Sequence, residues 1–171
     1  MRCKTRLVLI FFLVSVFLLS CGYRLVGSGN FVVDVRRIYI EIFNNRTFET
    51  GMENFLTNDI IREFIKGSKV KYSKKNEAEA FLSGVIKSVG EETISHTKSY
   101  TSYERRIKIL ADVKIVDREG DVLWSASNIS AIEDYEASLD QQTTERNKKE
   151  AISELSRKLA ENIYGRLTQD F

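Results

Sequence analysis

From Tyr103 to Ile115 the chain alternates. Tyr103, Ile107, Ile109, Ala111, Val113 and Ile115 fall on one side of an extended segment, and Glu104, Arg106, Lys108, Asp112 and Lys114 make most of the other. Successive side chains of a strand point to opposite faces, so this segment reads as a half-buried strand, apolar on one face and polar on the other. Asp117-Arg118-Glu119-Gly120-Asp121 supplies a turn, and Val122 to about Tyr135 returns as a partner strand. The pair makes a hairpin whose apolar face has to be covered by a second layer.

Helical periodicity supplies that layer twice. Met52, Phe55, Leu56, Ile60, Phe64 and Ile65 recur at the spacing of one helix face, and Gly67 is the stop signal. A second helix of roughly 20 residues closes the chain, with Ile152, Leu155, Leu159, Ile163 and Leu167 as its apolar stripe. Asn147 and Glu150 offer a start resembling a capping box, while Gln141 to Thr144 are also compatible with helix. Arg37 to Phe43, ended by Asn44-Asn45, reads as a first strand; a short strand at 69–73 and a longer one from Ala78 to about Ser95 follow the first helix. The order predicts an α+β two-layer sandwich: two helices packed on one face of a mixed, mostly antiparallel sheet of about four strands.

The beginning of the chain reads differently. Arg2, Lys4 and Arg6 precede a run from Leu7 to Leu19 that is apolar apart from Ser15. As a helix this run reaches about 20 Å, short of the roughly 30 Å hydrocarbon core, so a secretory signal fits better than a spanning helix. Leu18-Leu19-Ser20-Cys21 resembles the bacterial lipobox, although Leu stands where Ala or Ser is commoner, two positions before the cysteine. On this reading residues 1–20 are a lipoprotein signal peptide and Cys21 is the acylated first residue of the mature chain. Gly22, being other than Asp, looks like an outer-membrane address. Residues 21–30, with Gly27-Ser28-Gly29-Asn30, form the lipidated N-terminus and tether, and 31–171 a single domain. The alternative is an ordinary signal peptide with an incidental cysteine.

Removing the signal takes away Arg2, Lys4, Arg6 and no acid, so 26 basic residues become 23 against 24 acidic ones. The loss of Cys3 leaves Cys21 without an intrachain disulfide partner. A near-neutral mature chain argues against nucleic acid as a partner, since phosphate binding rests on concentrated Lys and Arg. Catalytic stock is thin. His96 is the only histidine, which excludes a histidine-rich metal site within one chain, and no glycine-rich phosphate loop or nucleophile elbow is present. Glu91-Glu92 and Glu133-Asp134 are adjacent pairs that a strand would send to opposite faces, so they read as solvated surface. No enzyme activity, cofactor or metal is expected.

The unusual stretch runs from Ser95 to Tyr103, where seven of nine residues carry hydroxyls. Lys98, Arg105 and Arg106 add cations. Hydroxyls and the planar arginine fork suit phosphate or sugar; a solvated hairpin tip, with tyrosines over the sheet edge, is the plainer reading.

Together these segments resemble the outer-membrane lipopolysaccharide-assembly lipoproteins, the LptE family. The resemblance lies in "SCGYRLVG", "IYIEIFNNRTFETGMENFLTNDIIREF", "SVGEETISHTKSYTSYERRIKILADVKIVD" and "NKKEAISELSRKLAENIYGRL". It implies a domain facing the periplasm that plugs a large β-barrel lipopolysaccharide translocon protein, assists its assembly and helps lipopolysaccharide reach the cell surface. Outer-membrane lipids would hold it through acylated Cys21. In such proteins basic residues near strand ends contact the lipid A phosphates; Lys98 falls where such a residue is expected, with Arg105 and Arg106 behind it. Val122 to Ile132 contain no Lys or Arg, so other basic contacts have no counterpart there. The competing reading is a generic lipid-anchored scaffold or chaperone that holds an envelope protein at its sheet edge without glycolipid specificity.

Overall fold

The hairpin read from the alternation becomes the backbone of a larger sheet. The computed structural model of the chain describes residues 31–67, 69–96 and 102–168. Its strands are β1 (Arg37–Ile40), β2 (Asn44–Asn45), β3 (Lys71–Tyr72), β4 (Ala80–His96), β5 (Ser102–Asp117) and β6 (Val122–Ser138). Its helices are α1 (Met52–Lys66) and α2 (Gln141–Thr168). The sheet runs β3-β1-β4-β5-β6, with β2 also on β4. β1 lies parallel to β3 and β4, β2 is parallel to β4, and the β4/β5 and β5/β6 pairs are antiparallel. The fold is therefore α+β with a mixed sheet; its strands exceed the expected count of about four, β3 falling within the short strand expected at 69–73 and β2 forming at Asn44–Asn45, where the first strand was expected to have ended.

Both helices cover one face, on which Ile107, Ile109 and Ile115 of β5 meet Leu56, Ile60 and Phe64 of α1 and Leu155, Leu159 and Ile163 of α2 in one core. The helices run in the same direction. Ser156 Oγ donates to Asp59 Oδ2 at 2.6 Å, and further along Phe64 meets Tyr164 edge to face at 5.2 Å.

Several expected boundaries shift for identifiable reasons. The first strand stops at Ile40 because the chain bulges. Ile40 pairs with Leu82 and Asn44 with Val85, so the β1–β2 side carries one extra residue. The bulge drops Phe43 into the space above Gly84, where a Cβ would lie 2.2 Å from the ring. Gly67 ends α1, but in extended backbone (φ −75°) rather than the left-handed cap that glycine usually provides. Its smallness is used sideways, since a Cβ there would sit 1.7 Å from the Tyr164 hydroxyl.

The second helix is 28 residues long. It starts at Gln141 because Asp140 accepts hydrogen bonds from the N–H groups of Gln142 (3.4 Å) and Thr143 (3.0 Å), which makes Asp140 the capping residue. Asn147 instead donates to the Glu136 carbonyl at 2.8 Å, inside the helix and across to β6.

The β4, β5 and β6 strands are 17, 16 and 17 residues long. At roughly 3.3 Å per residue they reach about 50 Å, well past the end of α1. Bulges between Ile86 and Ser88, Thr93 and Ser95, and Ala111 and Val113 curl this ribbon. At the last of these, Asn128 takes φ 56° and its N–H is held by Asp112 Oδ1 at 2.8 Å.

Candidate functional site

Consecutive residues of a strand face opposite ways, and this separates the two arginines expected to act together. Arg105 shares the parity of Ile107 and Ile109 and lies on the helix-covered face; Arg106 shares that of Lys108 and lies on the outer face. Lys98 and Cys21 fall outside the described residues.

Arg105 sits in a polar cluster where the aliphatic core gives out. Its guanidinium is 4.8 Å from the Tyr103 ring centroid and donates to the Tyr103 hydroxyl at 3.0 Å. Arg105 Nη1 pairs with Glu91 Oε1 at 2.5 Å. The same oxygen accepts from the Tyr135 hydroxyl at 2.6 Å, and Glu91 Oε2 lies 3.5 Å from Lys148 Nζ of α2. Lys148 also pairs with Glu49 Oε1 at 2.7 Å, in the connection between β2 and α1.

The register explains the assembly. Arg105 stands opposite Tyr135 on one side and Thr93 on the other, and Glu91 stands opposite Ile107, so Glu91 and Arg105 are diagonal cross-strand neighbours on one face. One carboxylate thus ties three strands to α2, and Lys148 carries the tie to the 46–51 connection.

The electrostatics follow from this packing. Partial burial pushes the Glu91 carboxyl up, but the hydrogen bonds from Tyr135 and Arg105 and the charge of Lys148 outweigh it and hold the group below its usual range. Burial, then the hydrogen bond to Glu91, raises the Tyr135 hydroxyl. The bond to Glu49 is the main reason that the Lys148 ammonium is raised. The charges of Glu91, Arg105 and Lys148 are each favoured by their neighbours.

On the outer face Arg106 makes a two-pronged pair with Asp134, Nε to Oδ1 at 2.8 Å and Nη2 to Oδ2 at 2.9 Å. That pair raises Arg106 and lowers Asp134. Lys87 bridges Asp112 (3.2 Å) and the Asn128 side chain (3.0 Å) on neighbouring strands. Arg105 and Arg106 are thus each already engaged by a carboxylate, which a phosphate reaching either guanidinium would meet.

A groove of about 300 Å³ between β6 and α2 is lined by Glu133, Asp134, Glu136, Glu150 and Glu154, a lining that repels anions. A second, of about 290 Å³, opens between the start of α1 and α2, with Met52, Phe55 and Ile152 beside Glu49, Glu145, Lys148 and Lys149. Among the described residues no group of three His, Cys, Asp or Glu side chains could hold a metal ion.

Glu91 and Glu92 do point to opposite faces, yet Glu91 is the hub of the cluster rather than solvated surface. Glu133 and Asp134 likewise have partners, Lys158 at 2.5 Å and Arg106. The parity of Arg105, in step with Ile107, is visible in the sequence. The contributions of Tyr135 and Lys148 depend on register and helix placement and are not.

Three likenesses to known proteins stand beside this geometry. A model of the LptE family, described as lipopolysaccharide-assembly, matches residues 35–167. Among solved structures, the PelC dodecamer from Paraburkholderia phytofirmans is similar at 11% identity and TM-score 0.52, over 83% of this chain and 96% of that one. Lipoprotein B from Nitrosomonas europaea is similar at 18% identity and TM-score 0.48, over 86% of this chain and 90% of that one. No curated protein sequence matches the chain. At such low identity the PelC likeness shows a shared fold and nothing further. The family match begins ahead of β1 and runs to the last turn of α2, so it takes in the whole sheet and both helices, and the chain belongs to the LptE family of lipopolysaccharide-assembly proteins.

Proposed function

We propose that the chain is the lipid-anchored outer-membrane component of the lipopolysaccharide translocon: it plugs a large β-barrel partner, assists its assembly and helps lipopolysaccharide reach the cell surface. The observation that carries this reading is the family match across residues 35–167. The surface agrees with it. The outer face of the sheet carries ion pairs such as Arg106–Asp134 and Lys87–Asp112, which suit the polar interior of a barrel. No described helix is long and apolar enough to cross a membrane. Attachment is assigned to Cys21, acylated after removal of residues 1–20; more than one acyl chain is needed for stable anchoring.

Glycolipid contact falls first to Lys98, in the connection between β4 and β5. Arg105 and Arg106 follow it, each on its own face and each already engaged by a carboxylate. The prior engagement of both arginines favours a division of labour in which holding the barrel is the main task of the folded body. Depleting the protein in its own cell tests the reading: surface lipopolysaccharide and mature barrel should both fall. Unchanged surface glycolipid with an intact barrel would leave the generic scaffold as the better account.

A further inference from the structure

The two edges of the sheet are opposite in charge. From Lys66 to Lys75 the chain reads KGSKVKYSKK, five lysines in ten residues with no acid, and this run carries the edge strand β3. The other edge strand, β6, has Glu133, Asp134 and Glu136 and no Lys or Arg along its 17 residues. Lys69, Lys71, Lys74 and Lys75 are exposed, and Arg36 and Arg37 join them from the start of β1, where Arg37 stands opposite Lys71. The bordering acids Glu41, Glu63 and Glu79 are held by Lys75, Lys66 and Arg37. Lys71 and Lys74 make no ion pair among the described residues. Apolar groups sit among these charges: Ile65, in the last turn of α1, is 68% exposed, and Tyr72 is 38% exposed with its ring stacked on Tyr39 at 6.4 Å.

Lysine on an edge strand commonly does no more than discourage pairing with another chain. The β3 strand is two residues long, for which Lys71 suffices, yet the run extends to either side of it. The course of the chain says what the rest faces. Phe31 packs edge to face on Phe64 in the last turn of α1 at 5.9 Å, and Lys71 N donates to the Arg36 carbonyl at 2.9 Å, so residues 31–37 run alongside this edge. Cys21 lies ten residues before Phe31, at most about 35 Å of extended chain. Acyl chains on Cys21 hold the edge within that reach of the lipid headgroups, and clustered lysines with exposed aromatic and aliphatic side chains are what an anionic headgroup surface attracts. We propose that the β3 edge lies on the anionic phospholipid surface of the leaflet that holds the acylated end, with Lys71 and Lys74 at its phosphates. The same surface charge turns the acidic β6 edge away. This rests on the anchor reading of Cys21 and adds the face that the domain shows to the membrane, and it leaves the long β4–β6 ribbon free to enter the barrel.

The experiment reconstitutes the full acylated chain in vesicles of phosphatidylcholine, with and without phosphatidylglycerol, and reads lysine acetylation by mass spectrometry. Labelling of Lys71 and Lys74 should fall roughly fivefold on the anionic vesicles and recover in high salt, while exposed Lys149 near the start of α2 is unaffected. In Lys71→Gln/Lys74→Gln, with an unchanged melting temperature, the neighbouring Lys75 should lose its protection. Equal labelling of Lys71 and Lys74 on the two kinds of vesicle would overturn the inference, as would protection that appears only when the barrel or a second copy of the chain is added. Failure of the wild type to float with neutral vesicles is a different result: it removes the Cys21 anchor, and the anionic comparison is then read on the unanchored chain.

Discussion

Strand β5 passes through two unlike environments on a single face. From Ile107 to Ile115 its inward residues are aliphatic and fully buried or nearly so under α1 and α2. From Arg105 back to Tyr103 the same face turns to a charged and phenolic cluster around Glu91, with Glu91 and Arg105 side chains 26% and 32% exposed. The first region is held by the removal of apolar surface from water, which is non-directional. The second is held by specific pairs that fail if any member is lost. The domain thus has an aliphatic end that sets its stability and a polar end that sets the position of a helix, a ribbon and the 46–51 connection.

The largest effect expected from this contrast is in the aliphatic end. Leu159→Ala removes a fully buried side chain between α2 and the sheet and should cost roughly 2–5 kcal/mol by denaturant unfolding. A cost no greater than that of an exposed substitution would remove α2 from the core. Gly84→Ala comes next. A methyl group at this position meets the Phe43 ring, so a loss of about 1–3 kcal/mol is expected, partly recovered in the double variant with Phe43→Leu. Strict additivity of the two substitutions would show that the ring and the glycine are not coupled.

In the polar end, Glu91→Ala leaves Arg105, Tyr135 and Lys148 without their common acceptor and should cost about 1–3 kcal/mol. The pH dependence has a definite sign. Glu91 is held below its usual range in the folded state, so its contribution is complete above the unfolded carboxylate value near 4.3 and is lost as pH falls through the lower folded value. The wild type should therefore lose stability on acidification more steeply than Glu91→Ala; parallel curves would contradict the role given to Glu91. The smallest effect belongs to Arg106→Gln on the outer face, where an exposed pair contributes little. Its melting temperature should match that of wild type within error, and a clear drop would mean that the outer face is not the solvated surface described above.

How much of this was legible follows the same division. The aliphatic end was readable because alternation in 103–115 and the stripes of both helices are local periodicities, and burial follows from them directly. The α+β arrangement came with them. Less legible were features that depend on distant chain segments: the bulge that ends β1 needs Gly84 forty residues away, and the service of Gly67 needs Tyr164. The sequence leaves the start of α2 between Gln141 and Asn147, because Asn147 with Glu150 imitates a cap; Asp140 does the capping and the helix begins at Gln141. For the candidate site, the separation of Arg105 from Arg106 follows from strand parity alone. Their carboxylate partners do not, since they are set by the register of β4 on β5 and β5 on β6.

A domain that plugs a large outer-membrane barrel, as proposed, should travel with that barrel. The most direct measurement is co-purification of the full chain from detergent-solubilised outer membrane, with the stoichiometry of what comes with it. The account predicts one large β-barrel protein in equimolar amount, together with lipopolysaccharide. Recovery of the chain alone, or with substoichiometric and varied envelope proteins, would contradict it.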